Sequence, residues 1–229
     1  MSLKNLKIVA LLPMKGISER VPKKNLKLFN GKPLYHYILQ TLIKSRLIHK
    51  VCINTDCSDI KNDINSNFDM KKITIIDRPV NLCGNYVSMN EIISYDLSKT
   101  DFEYFLQTHS TNPLINVNTL DNAIDLFFKN LSKNTHDSIF SVNRVQKRFF
   151  DKNCKPLNHD PKMLVTQHLE PIFEENSCFY IFSKKSFNEA KSRIGKNPSM
   201  FEISKIESED IDTLDDFKIA EIIHKYLNI

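Results

Sequence analysis

The chain has 229 residues, 41% of them hydrophobic and 26% charged, which is ordinary for a globular protein and long enough for one domain with a proper core. Its net charge of +5 is mild and evenly spread, which suits a small anionic ligand and excludes the aromatic-interleaved basic stripe of a nucleic-acid binder. Five cysteines without a CxxC pair exclude a zinc site or disulfide framework and read as reduced thiols. A polar start (Met1 to Lys7) and the lack of any membrane-length apolar run lead us to expect a cytoplasmic protein with no membrane partner.

Leu6–Leu12 reads as a buried strand, and Pro33–Ser45 as a helix with proline in its first turn. Lys50–Asn54 is a second strand, with a helix opening near Ser58. Lys72–Asp77 is a third strand, Met89–Leu97 a helix, Tyr104–Thr108 a fourth strand, Val117–Phe128 a helix and Ser138–Val142 a fifth strand. Strands spaced by helical periods predict βαβ units, hence an α/β fold with a mostly parallel sheet covered on both faces. Between Arg144 and Gln167 the pattern breaks. Strand-like runs around Phe149 and Leu164, joined through Pro156, Asn158, Asp160 and Pro161, predict a protruding hairpin or lid. Order resumes with Phe179–Ser183 and Phe201–Glu207 and ends in a helix over Thr213–Leu227. No linker or repeat divides the chain, so residues 1–229 read as one domain, with 144–170 as its excursion.

The first strand empties at Pro13 into a loop carrying Lys15, Arg20, Lys23 and Lys24 against one acidic residue, Glu19. A strand end of an open α/β sheet faces a crevice, and Lys and Arg supply charge-assisted hydrogen bonds to phosphoryl oxygens. The GxxxxGK[ST] pattern is absent and the loop holds one glycine, Gly16, so side chains carry the phosphate binding. The alternative is a solvated basic turn. Near the other end stands Asp210-Ile211-Asp212-Thr213, followed by Asp215 and Asp216. In extended backbone Asp210 and Asp212 share a face while Ile211 points into the core. Two crowded carboxylates invite a cation, and Mg²⁺ takes one or two carboxylates plus substrate phosphates. Alternatively Asp212 or Thr213 caps the last helix, with Asp215 and Asp216 complementing its dipole.

These segments resemble, in order along the whole chain, the motifs of the acylneuraminate cytidylyltransferases (CMP-sugar synthetases). Pro13-x-Lys15-Gly16-x-Ser18-x-Arg20-x-Pro22-x-Lys24-Asn25 with Asn30-Gly31-Lys32-Pro33-Leu34 resembles PARGGSKRxPxKN…NGKPL. Asn54-Thr55-Asp56 is similar to STD, Arg78-Pro79 to RP, and Leu106-Gln107 with Asn112-Pro113-Leu114 to LQPTSPL. Glu175-Asn176-Ser177 through Tyr180-Ile181 is similar to ENGAIYI, and Asp210–Thr213 to DIDT.

The resemblance implies a three-layer Rossmann-like nucleotidyltransferase fold and a homodimer whose hairpin reaches the partner's site. The reaction it implies is transfer of CMP from CTP to the anomeric hydroxyl of an acidic 2-keto-3-deoxy sugar, releasing pyrophosphate. Carried over residue by residue, Lys15, Arg20 and Lys24 would hold the triphosphate, and Asn25, Arg78 and Ser88 would lie around the nucleotide. Gln107, His109, Asn176 and Tyr180 would face the sugar, and Asp210 and Asp212 would carry Mg²⁺. Arg20, Lys24 and Asp212 form the implied catalytic set. His109 reads equally as a hydrogen-bond donor or a general base. Arg144, Lys147 and Arg148 read first as a solvated face, and alternatively as the cation for the sugar carboxylate, supplied by a partner's hairpin. The chain departs from the pattern at Lys15, Ile17, Glu19, Ser177 and the longer QTHSTNPL. These departures read as an altered sugar pocket or as a weakened site. Two alternatives therefore stay open: a transferase for Kdo or another sugar acid, and a catalytically silent nucleotide-binding protein.

Overall fold

A computed structural model of the chain describes residues 6–84, 86–162 and 165–227. Its centre is a seven-stranded sheet. In chain order the first elements are β1 (Ile8–Leu11), a two-stranded hairpin of β2 (Leu28–Phe29) and β3 (Lys32–Pro33), α1 (Leu34–Lys44), β4 (Ile48–Thr55), α2 (Ser58–Asn67) and β5 (Ile73–Asp77). Next come α3 (Met89–Ser98), β6 (Tyr104–Thr108), α4 (Val117–Ser132) and β7 (Ser138–Val145). The last are β8 (Ile172–Ser183), α5 (Lys184–Ala190), β9 (Pro198–Glu202) and α6 (Leu214–Leu227). The sheet order is β5-β4-β1-β6-β8-β7-β9, and every pairing is parallel except the two made by β8.

Alternation along β1 explains the layers. Ile8, Ala10 and Leu12 join the core on the face packed by α1, α2 and α4, while Val9 and Leu11 join the opposite face with Ile93 and Leu97 of α3 and Phe187 of α5. The chain steps from β1 to β4 and β5 on one side, then returns to place β6 on the other side of β1. That reversal is the topological switch point, and the C-terminal ends of β1 and β6 open a crevice there. A third, smaller cluster of Phe29, Leu34, Leu114, Ile211 and Phe217 docks α6 beside it.

The expected strands and helices of the sheet domain up to β7 and the last helix are present; the differences are two short elements that were not expected, shifted bounds of β8 and β9, and the excursion. The β2–β3 hairpin turns at Asn30 and Gly31, both at positive φ, an Asn-Gly turn too short to show as alternation. β8 begins seven residues before the expected strand, at Ile172, because residues 172–175 pair with 142–145 while exposing their side chains. A ladder that buries no face leaves no hydrophobic period to read. β9 ends at Glu202, and α5 is a single short helix opened by the Ser183–Ser186 capping box, a weaker signal than Ser-x-x-Glu. Beyond the β7–β8 ribbon, Phe149 and Phe150 pair locally with Leu157 and Pro156. The run expected around Leu164 lies outside the described residues at its centre.

Candidate functional site

The loop after β1 is shaped by backbone bonds that prolong the sheet: Leu12 N–H donates to Cys52 O and Met14 N–H to Asn54 O, both at 2.9 Å. Gly16 then donates to Asp56 Oδ1 at 2.8 Å, and a Cβ there would lie 2.9 Å from the Cys57 Cβ, so this close pass requires glycine. Ile17 points away and is 79% exposed, so its stiffness does not enter the crevice. The buried Asn25 amide closes the loop, donating to Lys15 O at 2.9 Å and accepting from the Ser110 hydroxyl at 2.6 Å.

These contacts frame a cavity of about 380 Å³. Its walls are the loop after β1 (Lys15, Glu19, Arg20, Lys24, Asn25), Arg78 after β5, the start of α3, and the loop after β6 from His109 to Thr111. The Asp210–Thr213 segment is tied to this rim by Ile211, whose side chain is fully buried and whose N–H donates to Thr111 O at 3.0 Å. Lys24 is buried and donates to Ile211 O, and its ammonium stands 3.7 Å from Asp212 Oδ1. Arg20 pairs with the same oxygen at 2.8 Å. Burial is the main influence lowering the Lys24 pKa, opposed by Asp212 and Asp210. Burial likewise raises that of Asp210, assisted by Asp212 and opposed by a Thr111 hydrogen bond, Lys24 and Arg20.

The donor set fits a hard cation. Asp210 Oδ1 is buried without a hydrogen-bond partner, and its neighbour Asp212 presents a half-exposed carboxylate. Among the described residues no cluster of three or more His, Cys, Asp or Glu surrounds a common point. Two carboxylates supplemented by substrate oxygens are the usual provision for Mg²⁺. Asp215 and Asp216 stay with the helix: Asp216 Oδ2 accepts from the Thr213 N–H and hydroxyl at 2.7 and 2.9 Å, capping α6.

Arg78 is held by a side-on fork, Nε to Asn54 Oδ1 at 2.6 Å and Nη2 to Asn54 O at 3.0 Å, and Asn54 in turn donates to buried Asp96. Ser88 stands apart from the cavity lining. Its N–H and hydroxyl both donate to Glu91 Oε2, at 2.9 and 2.8 Å, and its Oγ accepts from Glu91 N–H, forming the capping box of α3.

The residues expected around the sugar divide. Gln107 and Tyr180 face each other across the β6–β8 ladder and meet a residue that sequence reasoning missed, Arg193, in the loop between α5 and β9. The Arg193 guanidinium lies 3.7 Å from the centre of the Tyr180 ring, and its Nη1 donates to Gln107 Oε1 at 2.8 Å. His109 Nε2 lies 3.1 Å from Gln107 Nε2 and 3.3 Å from Arg193 Nη1. Both neighbours are donors, so this network assigns Nε2 as acceptor and the proton to Nδ1. Burial, with the Arg193 charge, pushes the His109 pKa down to about 3. A neutral ring with Nε2 occupied favours the hydrogen-bonding role over the general base. Asn176 is not part of this group: its amide accepts from the Ser141 hydroxyl at 2.6 Å and donates to Asn143 at 3.2 Å. No local motif marks Arg193, which stands between Lys191 and Lys196 in an ordinary basic loop, so nothing in the sequence singled it out.

A family model described as cytidylyltransferase matches residues 9–222. The chain belongs to the cytidylyltransferase family. It is therefore a nucleotidyltransferase by family, with the three-layer nucleotidyltransferase architecture. It is 25% identical over 228 residues to pseudaminic acid cytidylyltransferase of Campylobacter jejuni, covering 96% of this chain and 97% of that protein. It is also 25% identical over 240 residues to N-acylneuraminate cytidylyltransferase of Escherichia coli, covering 97% of this chain but 53% of that protein. Among solved structures, a CMP:2-keto-3-deoxy-manno-octonic acid synthetase complexed with CTP superimposes with a TM-score of 0.71 at 11% identity, covering 96% of this chain and 99% of that one. This last likeness bears on the fold.

Proposed function

We propose that the protein transfers CMP from CTP to the anomeric hydroxyl of an acidic nonulosonate sugar. The observation that carries this reading is the joining of the basic loop to the Asp210–Asp212 pair at the rim of one cavity, in a cytidylyltransferase whose full-length relatives are named for nonulosonate sugars. The anomeric oxygen attacks the α-phosphorus in line, a new P–O bond forms, and the α–β bridging P–O bond breaks. Pyrophosphate carries the electron pair away and the hydroxyl proton passes to solvent.

Positioning and charge neutralisation are what such a transfer asks of a protein. Arg20 releases its half-exposed partner Asp212 at small cost, since exposed ion pairs contribute about 0–1 kcal/mol, and takes up phosphate oxygens instead. Lys24, fixed and desolvated, offers a charge whose attraction water does little to weaken. Asp210 and Asp212 hold Mg²⁺, which when bound neutralises α-phosphate charge and acidifies the attacking hydroxyl. Arg78 and the Asn25 framework border the nucleotide, and His109 and Gln107 the sugar.

A homodimer is part of the reading. Phe150 and Leu157, at the tip beyond the β7–β8 ribbon, are 55% and 65% exposed, and Ile172 and Phe173 on the ribbon are also open, an apolar face suited to a second copy. Sedimentation of the wild type against a Phe150→Ser, Leu157→Ser variant checks this, with dissociation expected for the variant. The five free cysteines and the CTP substrate favour a cytoplasmic setting. No helix among the described residues is long and apolar enough to cross a membrane.

Pyrophosphate release measured with CTP, UTP, ATP and GTP against N-acetylneuraminate, pseudaminate, legionaminate and Kdo tests the reaction. We expect turnover with CTP and one or more nonulosonates. CTP binding by calorimetry without turnover on any of the four acids would favour the silent nucleotide-binding alternative.

A further inference from the structure

We propose that Arg193 is the residue that reads the carboxylate of the sugar acid, a specificity-determining contact made by the same chain that binds the nucleotide. The inference rests on the proposed reaction for the identity of the acid, but its support is local. Arg193 is half-buried, and no carboxylate among the described residues lies within ion-pair distance of its guanidinium. Desolvation is the largest influence on the group. Glu175 offsets this only from beyond ion-pair distance, and a guanidinium withdrawn from water without a directly paired anion is costly unless a ligand completes it.

Its donors divide in a telling way. Nη1 is committed to Gln107 Oε1 and faces His109 Nε2. Nε and Nη2 have no protein acceptor among the described residues, and these two form the side-on fork that accepts a carboxylate through parallel N–H···O bonds. The nearby Glu175 is taken by the Tyr180 hydroxyl, which leaves Tyr180 as a neutral platform beneath the guanidinium. The group is next to the cavity. His109 lines it, and the Arg193 N–H donates to Asn90 in the first turn of α3, beside cavity-lining Met89.

The loop is built to hold this position. Gly195 N–H donates to the Ser138 hydroxyl at 2.8 Å, and Lys196 and Asn197 N–H donate to Asp137 Oδ2 at 2.9 and 3.1 Å. A Cβ on Gly195 would fall 2.2 Å from Asp137 Oδ1, so glycine lets the loop lie against that carboxylate. Loop bonds to β7 and α3 thus fix the backbone while Tyr180 and Gln107 fix the side chain. This assigns to Arg193 a role for which the sequence offered Arg144, Lys147 and Arg148 of a partner's hairpin as one of two readings, the other being a solvated face.

The test compares wild type, Arg193→Ala and Arg193→Lys on N-acetylneuraminate, pseudaminate and their methyl esters, with CTP affinity measured separately by calorimetry. Loss of a charged hydrogen-bonded contact raises the acid KM by roughly 10–100-fold, with Arg193→Lys recovering part of it. The esters react equally poorly with wild type and Arg193→Ala, and CTP affinity stays within about twofold. Equal losses on acid and ester would reduce Arg193 to a structural residue and overturn the proposal. So would loss of acid–ester discrimination in Arg148→Ala but not in Arg193→Ala. A second readout does not depend on turnover: the ¹⁵N-Nε–H resonance of Arg193 on adding each acid to the protein loaded with a non-hydrolysable CTP analogue. A shift with the acid and none with the ester supports the assignment even where no acid is turned over, in which case only the proposed reaction fails. No shift with either overturns it.

Discussion

The two halves of the crevice are built in different ways. On the side proposed for the triphosphate, Lys15 to Asn25 are neighbours in sequence, and a single buried residue, Ile211, brings in both carboxylates. On the side proposed for the sugar, cavity-lining His109 and its neighbours Gln107, Tyr180 and Arg193 come from the loop after β6, β6 itself, β8 and the loop after α5. The first half is a motif held by its own backbone. The second is a coincidence of strand register and loop anchoring. A motif held by its own backbone keeps its geometry through single changes such as those at Lys15, Ile17 and Glu19. A register-built pocket can change one side chain at a time, which is where enzymes with a shared reaction diverge in substrate.

The contrast is tested most severely at Asp212. Asp212→Asn removes one of the paired carboxylates and the partner of Arg20. Turnover in Mg²⁺ should fall by roughly 10²–10³-fold, the scale on which preorganised electrostatic groups act. In EDTA the same variant should bind CTP at least as tightly as wild type, because a negative charge facing the triphosphate has gone. Calorimetry and pyrophosphate release read the two effects separately. Full turnover in Mg²⁺ would remove the metal role from Asp212.

Tyr180→Leu addresses the other half. It keeps an apolar side chain in β8 but removes the ring beneath Arg193 and the hydroxyl that engages Glu175. A partly desolvated cation–π contact contributes about 1–2 kcal/mol, so the KM for the sugar acid should rise by roughly tenfold. The KM for CTP should stay unchanged. If both rise together, the halves are not independent and the division above is mistaken.

Legibility follows the same division. β1, β4, β5 and β6 could be read because each is a short apolar run between helical periods, and buried parallel strands must look so. The basic loop and Asp210–Thr213 could be read because their spacing carries their geometry. The outer part of β8 could not, since residues 172–175 are exposed and pair through backbone alone. Arg193 could not, because its side-chain partners lie 13 to 86 residues away in sequence and come together through the β6–β8 register and the anchoring of the loop after α5. Ser88 shows the reverse difficulty: a hydroxyl beside the nucleotide motifs in sequence is taken up by Glu91 in the fold.

Asp96 sharpens the nucleotide half through pH. Burial raises its pKa to about 7, against hydrogen bonding from Asn54 and the charge of Arg78. Between its ordinary value of 3.8 and about 7 the folded protein keeps a proton that the unfolded chain has lost. This contribution to stability is therefore present at low pH, declines as pH rises through that window and is level above it. Wild type should lose up to about 4 kcal/mol relative to Asp96→Asn across the window, at most about 1.4 kcal/mol per pH unit. Urea unfolding of both proteins at several pH values measures the difference. A constant difference would mean that Asp96 is ionised throughout, with Arg78 as its effective counter-charge.

Ser88→Ala should give the smallest effect and separate position in sequence from position in space. The hydroxyl accepts from Glu91 N–H and donates to Glu91 Oε2, so its removal uncaps α3, at a cost of about 1 kcal/mol. Ser88→Asp should recover most of that stability, because a carboxylate also caps and favours the positive end of the helix. CTP affinity should be unchanged in Ser88→Ala, since cavity-lining Val87 and Met89, on either side, keep their backbone positions once α3 is folded. A weakened CTP affinity in a variant whose helix stays capped would return the hydroxyl to the nucleotide. It would also mean that the triphosphate half extends into α3, beyond its sequence motif.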